Sequence, residues 1–199
     1  MSTVDPVARF DLLVQRGFFG EISKELGAEM RMSERVPATV YGTSSTGSVH
    51  ENIRRTVRHT LSQQTVEYVR KRLLEFKPEV EQHFSLRLAD CEQPQFLRYQ
   101  VGDFFVAHQD GNTGMIQLAT EARRVSVVIF LNRQSDTPEE GAYCGGSLVF
   151  HDWRAGQGST PPFHMAGEAG TLVAFRSETT HEVTPVTHGE RLSIACWYM

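Results

Sequence analysis

The chain has 199 residues, 40% of them hydrophobic and 22% charged, and a formal net charge of -4. That size buries a core without disulfide or metal staples and reads as one domain, 1–199, in which a helical and loop segment (1–90) supports a second part (91–199). The negative balance argues against an overall basic surface for nucleic acid, and three scattered cysteines (Cys91, Cys144, Cys196) argue against a disulfide framework or a zinc motif.

The first residues carry Asp5 and Asp11 and no long apolar run, so they do not read as a signal peptide. No stretch approaches the length of a membrane span, which makes the cytoplasm the expected compartment. Asp5-Pro6 predicts an N-cap with proline at the first helical position, and Phe10, Leu13 and Val14 continue at helical spacing until Gly17. "FFGEISKELGAEM" predicts a second short helix. Residues 37–60 are rich in Gly, Ser and Thr and predict a long loop, with 41–60 a candidate lid. Its basic run, "RRTVRH", holds Arg54, Arg55 and Arg58. These read either as solvated charges or as a clamp for an acidic substrate, with Arg55 the candidate contact. From Ser62, apolar residues at 66, 69, 73, 76 and 80 predict a long amphipathic helix that Pro78 breaks or kinks.

After Pro94 the period changes. "QFLRYQVG", "FFVAHQD", "RRVSVVIFLN", "GGSLVFHD", "GTLVAFRS", "HEVTPVTHG" and "RLSIACWYM" are short runs rich in Val, Ile, Phe and Tyr, separated by Gly, Asn and Asp. They predict strands of a sandwich or barrel. The connections 133–145, "RQSDTPEEGAYCG", and "WRAGQGSTPPFHMAGEAG" predict surface loops, the first a second candidate lid. The fold class is therefore α+β, helices first and strands after.

"FFVAHQDGN" places His108 and Asp110 two residues apart at a strand end, hence on one face. Two ligand-type residues on one face need a third. Of the eight histidines, His181 stands at the start of a strand among apolar neighbours. Two histidines and one carboxylate cap one face of an octahedral Fe(II) and leave three positions open. Arg191 follows ten residues later and offers a forked cation that matches a carboxylate, and Ser193 shares its strand face. A metal triad beside a carboxylate clamp is what a 2-oxo acid cosubstrate requires. Glu182, next to His181, points to the opposite face by alternation and is not counted as a ligand.

The stretches "RYQVGDFFVAHQDGN", "RRVSVVIFLN", "GGSLVFHD" and "HEVTPVTHGERLSIACWY" resemble the Fe(II)- and 2-oxoglutarate-dependent oxygenases, in the prolyl-hydroxylase-like branch, over residues 94–198. The resemblance implies a double-stranded β-helix (jelly-roll) core flanked by N-terminal helices. It implies that His108, Asp110 and His181 ligate iron and that Arg191 binds the distal carboxylate of 2-oxoglutarate. Tyr99 matches a tyrosine that contacts the cosubstrate, Trp197 a tryptophan near the metal, and Asn132 and Gly145-Gly146 structural features of the core. One position departs: where close relatives carry a tyrosine that helps hold 2-oxoglutarate, this chain has Phe130, leaving Ser193 or Tyr99 to compensate.

The implied activity is hydroxylation of a C–H bond with Fe(II), 2-oxoglutarate and O2, on a prolyl residue of a peptide or protein. The alternatives are hydroxylation of a free amino acid or small metabolite, or a cupin-like binding module without redox chemistry. Asp110 disfavours a halogenase, which has a small residue there. Trp197 stands where nucleic-acid demethylases carry a second arginine, so neither nucleic acid nor membrane is an expected partner.

Overall fold

The computed structural model describes residues 5–38, 52–111, 122–152 and 161–199. Asp5 caps helix α1 (Pro6–Arg9) by accepting from the Val7 amide, as Asp5-Pro6 predicts. The helix is one turn long, because Asp11 takes the left-handed conformation (φ 52) that an Asp tolerates. The expected continuation through Leu13 and Val14 is instead strand β1 (Leu13–Gln15), recruited by pairing Leu13 with Ala174 and Gln15 with Leu172. Helix α2 (Ile22–Met32) follows.

The segment 37–60, expected as a loop, is partly strand: β2 (Glu34–Pro37), β3 (Arg54–Arg55) and β4 (Val57–Thr60) each find an antiparallel partner. Period-2 burial, with His59 buried between exposed Arg58 and Thr60, is the signal its composition concealed. Most of the candidate lid at 41–60, residues 41–51, lies outside the described residues. Helix α3 (Gln63–Phe84) is capped by Ser62 and runs through Pro78 without ending. Its buried residues Val69, Leu73, Val80 and Phe84 form the expected stripe.

The strand half largely matches the sequence: β5 (Gln95–Tyr99), β6 (Phe104–His108), β7 (Val125–Phe130), β8 (Cys144–Gly145), β9 (Leu148–Phe150), β10 (Phe163–Met165), β11 (Leu172–Arg176), β12 (His181–Val183), β13 (Val186–His188) and β14 (Arg191–Tyr198). The two exceptions are β8, at the end of the expected 133–145 loop, and β10, inside the second expected surface loop, which tertiary pairing with β13 and β9 makes into strands. The chain forms a seven-stranded sheet in the order β1-β11-β7-β14-β5-β4-β2, a five-stranded sheet β10-β9-β12-β6-β3, and the pair β13-β8. Every named pairing is antiparallel.

Strand alternation decides what each face of the large sheet does. On β14, Leu192, Ile194, Cys196 and Tyr198 pack with Leu26 and Met30 of α2 and Val69, Leu73, Val80 and Phe84 of α3. The Tyr198 hydroxyl donates to the Leu73 carbonyl at 2.6 Å, joining strand to helix. The intervening Ala195 and Trp197 turn to the other side, where they meet Leu97, Tyr99, Val183 and Val186. A second inter-sheet cluster joins Phe130, Val173 and Phe175 to Leu148 and Phe150. Burying one large apolar side chain contributes roughly 1.5–3 kcal/mol, so these clusters hold the two sheets together around whatever the inner face carries. Among the described residues no helix is long and apolar enough to cross a membrane.

Candidate active site

The inner face carries polar residues. His108 ends β6 and lies directly opposite His181 on β12, so one antiparallel pairing brings together side chains 73 residues apart. The turn after His108 is fixed by the amides of Asp110 and Gly111, which both donate to the Ser177 carbonyl (2.9 and 3.2 Å). It is held from the side by Gln109, whose Nε2 donates to the Glu178 carbonyl at 2.7 Å. Asp110 then points its carboxylate between the rings: Oδ1 is 3.5 Å from His108 Nε2 and Oδ2 3.5 Å from His181 Nε2. One ligand atom from each of the three lies within 4.8 Å of the others.

Each imidazole is oriented through its other nitrogen. His108 Nδ1 lies 2.8 Å from the Val106 carbonyl and His181 Nδ1 2.9 Å from the Thr179 carbonyl. A carbonyl accepts only, which assigns the proton to Nδ1 and leaves both Nε2 lone pairs aimed at the shared centre. Phe105 stacks on His108 (3.5 Å between centroids, 17°) and Phe175 meets His181 edge-on. Asp110 receives a further hydrogen bond from Ser126 Oγ at 2.7 Å, from the inner face of β7. Burial opposes ionisation of Asp110, but the two imidazoles and Ser126 outweigh it and hold the carboxyl far below the usual range. Burial, reinforced by His108, pushes His181 down to about 4. The triad therefore stands at neutral pH as a carboxylate with His181 neutral, which is the form that binds a metal.

On β14, Arg191 and Ser193 face the same cavity as the triad. Arg191 is 1% exposed. Its Nη1 donates to Ser193 Oγ at 2.8 Å, while Nε and Nη2 have no partner among the described residues. The guanidinium lies 5.1 Å from the Tyr99 ring, its register neighbour on β5, and 5.3 Å from Phe130. A buried cation with unpartnered donors beside a metal-type triad calls for an anion, and its fork fits a carboxylate.

Trp197 also lines the cavity, with its indole N–H unpartnered among the described residues. Arg123 covers its ring at 3.7 Å and is itself gripped by both oxygens of Glu92 (2.5 and 2.8 Å). Arg55 is exposed, lies over Phe104 and does not line the cavity, whereas its neighbour Arg54 does. Glu182 pairs with His151 at 3.3 Å, away from the triad, as alternation predicts. Asn132 ties the ends of β7 and β14 by donating to the Glu190 carbonyl and accepting from the Leu192 amide.

Sequence reasoning missed Ser126. Ser126 alternates inward on β7 in "VSVVIF", which was the available signal.

Comparison with known proteins agrees with this geometry. The family model for the 2OG-Fe(II) oxygenase superfamily matches residues 94–199. The chain belongs to that superfamily. Its cofactor set is Fe(II), 2-oxoglutarate and O2. A PKHD-type hydroxylase of Shewanella oneidensis is 38% identical over 104 residues, and one from Paracoccus denitrificans 36% over 106. Each match covers 52% of this chain and 41% of the relative, so the chain spans about two-fifths of the length of the curated relatives it matches. Among solved structures, a Pseudomonas putida prolyl-4-hydroxylase superposes with TM-score 0.70 at 24% identity, covering 96% of this chain and 94% of that one. HygX of Streptomyces hygroscopicus, with nickel, 2-oxoglutarate and hygromycin B bound, gives 0.64 at 17%, covering 96% and 84%. These likenesses establish the jelly-roll fold expected from the sequence.

Proposed function

We propose that the chain is an Fe(II)- and 2-oxoglutarate-dependent dioxygenase that hydroxylates a C–H bond, with a prolyl residue of a peptide or protein as its substrate. The observation that carries this reading is the buried, partly unpartnered Arg191 in the cavity that holds the His108–Asp110–His181 cluster. A metal-binding module without redox chemistry has no use for such a cation. The nitrogen and oxygen donors of the triad suit ferrous iron, so these three residues would hold the metal. Arg191, with Ser193, would hold the distal carboxylate of 2-oxoglutarate, and Tyr99 would border it. When bound, Fe(II) and 2-oxoglutarate supply the oxidising power: O2 is consumed as the oxo acid is decarboxylated to succinate and CO2, and one oxygen atom enters the C–H bond.

The chain's own residues bind, orient and exclude water. The Nδ1 hydrogen bonds of His108 and His181 fix which ring nitrogen faces the metal. Ser126 fixes the Asp110 carboxylate. The apolar walls, Leu97, Val183 and Phe105 among them, would shield the reacting atoms from water. Trp197 and Arg54 face the same cavity and would border the substrate. A prolyl substrate is supported by the prolyl hydroxylases among the structural neighbours. A small-molecule substrate is the second reading, supported by the likeness to HygX with hygromycin B bound.

The test is succinate formation from 2-oxoglutarate by anaerobically purified protein given Fe(II) and then air. Proline-containing peptides and free amino acids are screened for stimulation. Turnover abolished by both Asp110→Ala and Arg191→Ala supports the proposal. The absence of any turnover, with no change in the Fe(II) absorption spectrum on adding 2-oxoglutarate, refutes it.

A further inference from the structure

Ser177 uses every polar group it has on the elements that carry the triad. It follows β11 and is 0% exposed. Its carbonyl accepts from the amides of Asp110 and Gly111 (2.9 and 3.2 Å), and its own amide donates to the Arg124 carbonyl at 3.0 Å, just before β7. Its hydroxyl lies 3.1 Å from that of Ser126. The direction of this last bond follows from the neighbours. Ser126 Oγ donates to Asp110 Oδ2 at 2.7 Å. An ionised carboxylate only accepts, so the single Ser126 proton is committed to Asp110, and Ser177 donates to Ser126. The two serines form a one-way relay from Ser177 through Ser126 to Oδ2. Neither is among the residues that line the cavity, so the relay acts on Asp110 from behind.

We infer that Ser177 is a positioning residue for the metal centre: through Ser126 its hydroxyl reserves Asp110 Oδ2 and leaves Oδ1 as the one carboxylate atom that ligates. The inference rests on the assignment of His108, Asp110 and His181 as the iron ligands. Its consequence is a count of positions. Two imidazoles and one carboxylate oxygen fill three sites of an octahedral ion and leave three open. A 2-oxo acid bound through its keto and carboxylate oxygens takes two of them and leaves one for O2. A carboxylate bound through both of its oxygens would take that last position. The bond from Ser126 to Oδ2 is charge-assisted, and the proton that Ser126 accepts from Ser177 makes it a stronger donor, because chained hydrogen bonds polarise one another. Removing the far end of the relay loosens the hold on Oδ2 without altering a cavity wall.

The experiment compares wild type with Ser177→Ala and with Ser177→Thr, which keeps the hydroxyl. Infrared difference spectra of protein isotopically labelled at the aspartate carboxyl carbon, Mn(II)-bound minus metal-free, report the Asp110 carboxylate, identified by its loss in Asp110→Ala. The gap between its antisymmetric and symmetric stretches is wide when one oxygen binds and narrow when both do. Wild type should show the wide gap, Ser177→Ala a narrower one, and Ser177→Thr the wide gap again. Nitric oxide, standing in for O2, should give the anaerobic Fe(II)–2-oxoglutarate complex of Ser177→Ala a several-fold weaker nitrosyl signal by electron paramagnetic resonance than that of wild type. Thermal unfolding checks that each variant keeps its fold. Wild type whose Asp110 already binds through both oxygens overturns the inference without any variant. So do a spectrum and nitrosyl yield of Ser177→Ala equal to those of wild type, or a folded Ser177→Thr that behaves as Ser177→Ala does. Wild type whose Asp110 bands do not respond to Mn(II) at all overturns the ligand assignment as well.

Discussion

Replacing Arg191 by Met should make the ligand-free protein more stable. Arg191 is 1% exposed and, among the described residues, donates to Ser193 while Nε and Nη2 are unpartnered. Two buried unsatisfied donors cost about 2–6 kcal/mol together, and the surviving charge-assisted bond returns about 1.5–3 kcal/mol. Methionine keeps most of the stem packing and removes the charge. The net gain is about 2 kcal/mol, or roughly 4–8 °C in Tm for a chain of this size. The assay is thermal unfolding of metal-free protein, wild type against Arg191→Met, repeated with Co(II) and 2-oxoglutarate. Co(II) should raise the Tm of both proteins, and 2-oxoglutarate should add a further rise in the wild type only. A variant less stable than wild type without ligand would mean that the guanidinium is already compensated in the native state, and the case for a waiting anion site would fail.

Three further outcomes follow from the geometry. Ser126→Ala removes the hydrogen bond that fixes Asp110 and should lower Co(II) or Mn(II) affinity about 10- to 100-fold by calorimetry, the usual effect of losing an outer partner of a ligand; unchanged affinity would show that Asp110 needs no such support. Gly145→Ala should cost at least about 2 kcal/mol in urea unfolding, because Gly145 sits at φ +67 and a Cβ there would approach the Pro185 carbonyl oxygen to 2.3 Å; a neutral result would mean the β8–β13 pair can be remodelled freely. Burial, reinforced by Arg98, holds His59 below its ordinary range, with Ser33 its hydrogen-bond partner. The native state therefore binds fewer protons than the unfolded chain just below pH 6.5, and stability falls as pH drops through that window. His59→Gln should flatten this part of the urea-unfolding profile between pH 7 and 5, and an unaltered slope would assign the acid sensitivity to other groups.

The strand half was legible because each strand obeys one rule twice. In "RLSIACWYM" the apolar residues at 192, 194, 196 and 198 face the helices, and Arg191, Ser193, Ala195 and Trp197 face the other sheet. The same alternation puts His108 and Asp110 on one side and sends Glu182 to the other. The N-terminal half was harder to read because tertiary pairing overrides local preference there. Leu13–Gln15 has helical spacing in "RFDLLVQRG", yet it becomes the edge strand of the large sheet by pairing with β11. Arg54–Thr60 looks like loop by composition, yet it supplies strands to both sheets.

The residues that escaped the sequence reading share a physical cause. A metal ligand has to be His, Asp, Glu or Cys, and a carboxylate clamp at this depth calls for Arg, so chemistry restricts the residue type and spacing restricts the position. A supporting donor carries no such restriction. Ser126 is one of many serines, and only its place on the inner face of β7, 2.7 Å from Asp110, gives it a role. Phe130 reads as a lost hydroxyl when β7 is considered alone. Once the chain folds, Tyr99 and Phe130, from the strands on either side of β14, lie 5.1 and 5.3 Å from the guanidinium, so the surroundings of Arg191 are a property of the assembled inner face and of no single strand.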